Sequence, residues 1–419
     1  MMKTMMKGAL IVAAILTWPA EALQAEQVTA PQKATAEEGI NPKLWYKLAL
    51  VKERAYLFTH WEQVHPHRIL PGAATPRVYQ RNTHSIDEVT YELDGQRYTL
   101  SHYIEKANIS GLMVLRDREV RLEYYGQGLD ARSRNHIWSA TKSFTSTLIG
   151  MALFDGTISS LDDPAKKYAP QFKGSAYGET SIQHLLMMSS GIDYFHFKGS
   201  PNRNDMYNDL IQKGGDFDKW AAALPRRVPG GTDFNYIATD THVLAAVLRG
   251  AYGKPFVEIV QEKLWEPFGF SRAQWGLDAY GHATGHFALA LTLQDFAHLG
   301  QLYLENLMLN GEPTVSDDWF DMVAMAHTPS HEPSVDAEGK ITEGYSFQFW
   351  LPADYDQEFM AAGAFGQYLW IDRKQDFVVA QFSIGGERGQ PGISAKEKEA
   401  VMRALGSFVL GESTDTGRE

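Results

Sequence analysis

The stretch "HIWSATKSFTSTLIG", His136 to Gly150, governs the reading of the whole chain. Apolar residues lead into Ser139. A strongly apolar run follows through Phe144, Leu148, Ile149, Met151 and Phe154, so the segment reads as a buried helix running to about Gly156. Ser139 then stands at or near the helix N-terminus, where unsatisfied N–H groups and the dipole favour developing negative charge. Lys142 follows at i+3, on the same face and within reach of the hydroxyl. An ammonium is costly to bury unless it is paired or neutral. Lowering a lysine from a pKa of about 10.4 to near 7 takes about 4.6 kcal/mol, which burial and nearby positive potential can supply. The plain alternative is an N-cap serine followed by a solvated lysine. Alone, S-x-x-K is a weak signal, since on the order of one or two arise by chance in a chain this long.

Two further segments supply what such a pair would need. In "RVPGGTDFNYIATDTHVLAAVLRG", Pro229-Gly230-Gly231 makes a turn and the chain extends through Tyr236. Thr239 or Asp240 then caps a helix ending at Gly250. A tyrosine displayed there can relay a proton to a leaving group. An oxyanion needs two N–H donors. One is available at Ser139 and the other at Ala364 in "FMAAGAFGQYLWID", where Gly363 and Gly366 allow close backbone approach to a ligand.

"SATKSFTSTLIG", "GGTDFNYIATDTHVLA" and "AAGAFGQYLWID" follow one another in this order. Together they resemble the penicillin-recognising serine hydrolases, the superfamily of class C β-lactamases, D-alanyl-D-alanine carboxypeptidases and β-lactamase-like esterases. Within it they resemble the 6-aminohexanoate-dimer hydrolase and esterase branch, over roughly residues 95–410. The resemblance implies Ser139 as acylated nucleophile, Lys142 as general base and Tyr236 as acid/base relay, with the oxyanion held by the N–H groups of Ser139 and Ala364. It also implies a loop over the cleft at "SSGIDYFHFKG", Ser189 to Gly199, with Tyr194 either a candidate substrate contact or core packing. Two departures bear on the substrate. Tyr-x-Asn is here Tyr236-Ile237-Ala238, and the late-strand Lys-Thr-Gly is absent around Ala361-Ala362-Gly363, leaving no cation for a substrate carboxylate. An ester or linear amide with an apolar acyl part is therefore favoured over a β-lactam or cell-wall peptide. A β-lactamase or D-Ala-D-Ala carboxypeptidase is the runner-up, and a non-catalytic cell-wall-binding relative the second alternative.

The rest of the chain frames this site. Its 419 residues are 44% hydrophobic and 21% charged, an ordinary globular composition. "MMKTMMKGALIVAAILTWPAEALQA" reads as a signal peptide cut after Ala25, with Lys3 and Lys7 ahead of a short apolar run. The expected location is therefore periplasmic or secreted. Losing that segment leaves 37 basic and 50 acidic residues, net −13. Without basic clusters, nucleic acid is not an expected partner. No later apolar run is long enough to span a bilayer. With no cysteine, stability must come from packing, and thiol nucleophiles and thiolate metal sites are excluded. No cofactor is called for, and the expected ligand is a small-molecule ester or amide. The sequence leaves the oligomeric state open.

The expected fold is α+β, one β-lactamase-related domain. Residues 26–94 are an N-terminal extension, with a helix from Pro42 to Trp61. Residues 95–155 and 286–419 build an antiparallel sheet flanked by helices, and 156–285 form an inserted, mainly helical region. "SGLMVLRDREVRLEYYG", Ser110 to Gly126, reads as a hairpin, and short strands recur after residue 345. "SIQHLLMMSSG" reads as a helix closed by Gly191. No G-x-S-x-G elbow or H-E-x-x-H motif is present. "HPHR", His65 to Arg68, reads as a solvated loop rather than a metal site, and His136 as packing.

Overall fold

A computed structural model describes Leu44 and residues 47–194, 215–386 and 392–411. The signal segment, residues 26–39, and residues 195–199 of the expected cleft loop lie outside the described residues.

The main sheet has eight strands. In chain order they are β1 (Gln80–Arg81), β2 (Ile109–Arg116), β3 (Glu119–Tyr125), β4 (Gly344–Tyr345), β5 (Trp350–Leu351), β6 (Glu358–Gly363), β7 (Gln367–Asp372) and β8 (Phe377–Ser383). They lie in the order β4-β5-β6-β7-β8-β2-β3-β1, so strands from both ends of the chain meet where β8 pairs with β2. Val379 stands opposite Val114 and Ala380 opposite Met113. All pairings are antiparallel except β1 with β3, a short parallel edge.

Side chains alternate between two cores, as a strand's period of two requires. Leu112, Val114, Leu122, Trp370 and Val379 face the helix Leu100–Lys106 and the terminal helix Ala395–Leu410, through Tyr103, Val401, Met402 and Leu405. Met113, Leu115, Val120, Leu369, Val378 and Phe382 face the other way, into the core that holds the Ser139 helix. Both faces are covered, which is why β2 and β8 read as near-continuous apolar runs.

Four helices matter for the site and the second core: α1 (Val51–Thr59), α2 (Thr141–Phe154), α3 (Ala238–Tyr252) and α4 (Leu293–Leu304). The N-terminal helix is shorter than expected, because the chain turns at Lys47–Leu50 before α1 begins. Neither Thr239 nor Asp240 caps α3. Ile237 occupies the cap position, and the Asp240 carboxylate accepts a hydrogen bond from Tyr177 instead. The helix also runs past Gly250 to a left-handed Gly253 at its end. Gly250 serves close contact instead, since a Cβ there would lie 1.8 Å from the Tyr168 carbonyl oxygen. The helix at Ile182–Leu186 stops well short of Gly191, at a left-handed Met188.

A second, four-stranded sheet was not anticipated. It orders His67–Leu70, Ala273–Gly276, Leu289–Leu291 and Asn135–His136. "HPHR" is thus not a solvated loop: His65 is buried and His67 and Arg68 are in a strand. No described group of His, Asp and Glu side chains could hold a metal. No described helix is long and apolar enough to cross a membrane.

Inside α2, a Cβ on Gly150 would lie 2.6 Å from the ring of the buried Trp319. Alanine is the better helix former by about 1 kcal/mol, but overpacking a rigid ring costs about 1–3 kcal/mol. Packing is the larger effect. Gly150→Ala is therefore expected to lower stability by about 1 kcal/mol in urea unfolding, where propensity alone would raise it.

Candidate active site

The short strand Asn135–His136 pairs with Leu289–Leu291 and delivers the chain to Ser139. The turn is made at Trp138, whose φ of 51° is left-handed. A 3-10 turn over Trp138–Ala140 then feeds α2, so Ser139 lies two residues ahead of the helix proper. Ser139 is half-buried while Lys142 is only 2% exposed.

Lys142 Nζ lies 3.0 Å from Ser139 Oγ and donates to the His286 carbonyl at 2.8 Å. No described carboxylate pairs with it. Burial alone draws its pKa from the lysine value of 10.5 to about 7. A neutral amine that gives one N–H to His286 keeps its lone pair for the serine proton. The amine also stands 5.1 Å from the centre of the Tyr236 ring.

Tyr236 hydrogen-bonds the Ser139 side chain, which favours the phenolate. Burial is the larger influence and pushes the phenol above its usual range. Its ring lies 5.3 Å from Trp350 and 5.8 Å from Tyr345. The extended segment before α3 is pinned on either side of Tyr236. Asn235 N–H donates to the Met188 carbonyl, its side-chain amide donates to the Tyr194 carbonyl, and Ile237 N–H points at the Met188 sulfur.

Ser139, Lys142 and Tyr236 therefore converge as the sequence suggested. A Cβ on Gly363 would lie 2.1 Å from the Ile137 carbonyl oxygen, so its bareness brings the end of β6 against the backbone entering Ser139. Gly366, with φ of 91°, likewise packs towards Ser383. Ala364 follows Gly363 and is thereby set beside residues 137–139. Tyr194 takes the packing alternative among the described residues: it is fully buried, with its ring edge-on to Trp220. His136 is packing, as read, stacked 3.8 Å from Trp61.

Sequence reasoning left two participants unassigned. His286 contributes only a main-chain carbonyl, which carries no residue-type signal. Gln348, left-handed at φ 64°, accepts from Ser143 of α2 through its carbonyl. Its side-chain amide donates to the Leu185 and Leu186 carbonyls, and its side-chain oxygen accepts from Thr241 of α3. It fixes the Lys142 helix and the helix following Tyr236 to one another.

Residues 99–400 match the family described as beta-lactamase. The chain is 27% identical over 327 residues to the 6-aminohexanoate-dimer hydrolase of Paenarthrobacter ureafaciens, covering 75% of this chain and 82% of that protein. In fold it is similar to a provisional 6-aminohexanoate-dimer hydrolase from Bacillus anthracis. The TM-score is 0.75 at 19% identity, over 92% of this chain and 100% of the other. The octameric penicillin-binding protein homologue from Pyrococcus abyssi aligns with a TM-score of 0.52 at 19% identity, over 75% of this chain and 77% of its own.

The lowered lysine has a thermodynamic signature. Between about 7 and 10.5 the unfolded chain binds a proton at Lys142 that the folded chain does not. Its contribution to stability therefore rises with pH across that window and is constant below it. Lys142→Met removes this burden. At pH 6.5 the variant should be more stable than the parent by about 2–4 kcal/mol, and the gap should close as pH approaches 10. Urea unfolding of both proteins across that range reads the difference directly.

Proposed function

The chain belongs to the beta-lactamase family and is a serine hydrolase, and on that premise we propose that it cleaves an ester or linear amide through an acyl-enzyme on Ser139. The observation that carries this reading is the buried Lys142 amine, with no described carboxylate partner, 3.0 Å from Ser139 Oγ. With a pKa of about 7, half of it is neutral at pH 7. For an unperturbed lysine the neutral fraction is about 0.04%, so burial supplies roughly a thousandfold more base.

In this mechanism Ser139 Oγ attacks the carbonyl carbon as its proton passes to Lys142. The oxyanion accepts hydrogen bonds from the N–H groups of Ser139 and Ala364. Tyr236, kept protonated by burial and linked to Ser139, passes a proton to the departing alcohol or amine as the carbonyl bond to it breaks. Water then attacks the acyl-enzyme, giving its proton to the same pair, and the carboxylic acid leaves as Ser139 is restored.

The substrate class follows from what borders the serine. No cation stands at Ala361, Ala362 or Gly363 to hold a carboxylate. Phe234, Tyr345 and Trp350 form an aromatic cluster beside Tyr236. The absent cation suits an uncharged, apolar acyl part, and the buried aromatic cluster holds the Tyr236 ring in place. The similarity to a protein named 6-aminohexanoate-dimer hydrolase is the reason for keeping linear amides beside esters. We also propose export to the periplasm or medium, on the basic, apolar and small-residue succession of residues 1–25.

A fluorophosphonate probe should label the parent protein at Ser139, located by peptide mass. Ser139→Ala should lose p-nitrophenyl butyrate turnover by at least about 10³-fold, and Tyr236→Phe by about 10²-fold or more. The kcat/KM of the parent should climb with pH through about 7, as Lys142 sheds its proton, and level off above. Parent-like turnover by Ser139→Ala would refute the mechanism, and nitrocefin cleaved faster than short-chain esters would refute the substrate class.

A further inference from the structure

The proposed oxyanion donors each adjoin a left-handed aromatic residue. Trp138, with φ 51°, precedes Ser139, and Phe365, with φ 68°, follows Ala364. They are the two aromatic residues with positive φ among the described ones, and their rings touch at 4.9 Å. A non-glycine residue in this region is strained by about 1–2 kcal/mol and stays there only when its surroundings hold it.

The surroundings come from the N-terminal segment, ahead of residue 99 where the family match begins. Phe58 of α1 meets Trp138 at 5.7 Å and Phe365 at 5.1 Å, both edge-on. Trp61 meets Trp138 at 5.4 Å. Arg54, also of α1, lies over the Phe365 ring with its guanidinium carbon 4.8 Å from the centre.

Arg54 is fully buried, and no described carboxylate pairs with it. Its fork bonds only to carbonyl oxygens: Leu48 at 2.7 Å and Ala49 at 3.4 Å on its own segment, Ile384 at 3.0 Å and Gly386 at 2.6 Å just past β8. Desolvation without a counter-charge draws even this guanidinium down to about 10. A buried, uncompensated cation is a poor way to gain stability. Its geometry is specific all the same, because one planar group joins α1, the end of β8 and the Phe365 ring.

We propose that Arg54 is a positioning residue for the oxyanion pocket, acting with Phe58 as a brace that holds the Trp138 and Phe365 turns and through them the Ser139 and Ala364 N–H groups. This rests on the acyl-enzyme reading above. The N-terminal segment is then a working part of the hydrolase, not a spacer ahead of it.

The test compares Arg54→Met, Arg54→Lys and Ser139→Ala in the full chain, assayed well below each melting temperature. In Arg54→Met the kcat for p-nitrophenyl butyrate should fall roughly 10- to 100-fold, the scale expected when donors are misplaced rather than deleted. KM should stay within about threefold, since ground-state contacts are untouched. Affinity for phenylboronic acid, whose tetrahedral serine adduct occupies the oxyanion pocket, should weaken by the same factor as kcat. Arg54→Lys, which keeps the charge over the ring but not the planar fork, should recover part of the loss. A purely structural Arg54 would instead lower the melting temperature and leave kcat and boronate affinity at parental values, which overturns the proposal. A lysine variant no better than the methionine one overturns it too. If Arg54→Met does not fold, Phe58→Leu replaces it: a kcat loss at constant KM supports the brace and a parental kcat overturns it. An inactive Ser139→Ala beside a fully active Arg54→Met removes the brace alone. An active Ser139→Ala removes the acyl-enzyme reading and the brace with it.

Discussion

A lysine amine held out of water with no acid beside it is the constraint around which the site is organised. Shifting Lys142 from 10.5 to about 7 corresponds to about 5 kcal/mol set against folding at neutral pH, comparable to the net stability of many domains. The offset comes from α2 itself, where every residue from Thr141 to Ala152 is buried. Its hydroxyls find main-chain partners: Ser143 donates to Gln348, Ser146 to Phe347 and Thr145 to Gly285. Serine and threonine can thus lie inside from Thr141 to Ala152 with their hydroxyls bonded, and the Lys142 amine is held there with no described carboxylate beside it.

That arrangement needs chain from far apart. The hydroxyl and amine come from residues 139 and 142, the phenol from 236, the carbonyl acceptor from 286, and the aromatic cluster and strand end from 345–364. The sheet makes this possible by closing β8 onto β2, which returns the last third of the chain to the neighbourhood of α2. Glycine finishes the approach, since any side chain at 363 would collide with the Ile137 carbonyl. The small second sheet does the same for residues 286–291, and its pairing of Leu289 with Ile137 sets the carbonyl of His286 under the amine.

Much of this was legible beforehand, and the boundary has physical reasons. The second strand of the hairpin over 110–126 declares itself by alternation, whereas its first strand, the late strands and the helix after Ser139 declare themselves as unbroken apolar runs, because they are buried on all sides. Ser139, Lys142 and Tyr236 are legible because their residue types are the chemistry. The second sheet escaped notice because its strands span only two to four residues, too few to show a period. His286 and Gln348 escaped because main-chain carbonyls and amide hubs work through position alone. Gly363 was rightly singled out for close approach, but sequence cannot say what approaches, and the neighbour is the protein's own backbone. Tyr194 read equally as a cleft residue or a packed aromatic, and only the fold sets its buried ring edge-on to Trp220.

Local conflicts with ideal geometry are not scattered evenly. Of the fifteen described left-handed non-glycine residues, six are Asp or Asn, such as Asp94, Asn108 and Asn310, which tolerate that conformation. Of the other nine, Arg118, Gln127, Leu307 and Gln357 sit in connections between elements, while Trp138, Met188, Ala288, Gln348 and Phe365 border the serine, its lysine or the segment carrying Tyr236. At about 1–2 kcal/mol each, they add strain at the same place where Lys142 already opposes folding. A sequence under pressure for stability alone would have relieved these positions one by one with glycine, asparagine or a neutral side chain. Their concentration around one hydroxyl fits a fold that gives up local comfort to hold a reactive geometry, with two large cores on either side of the sheet supplying the margin.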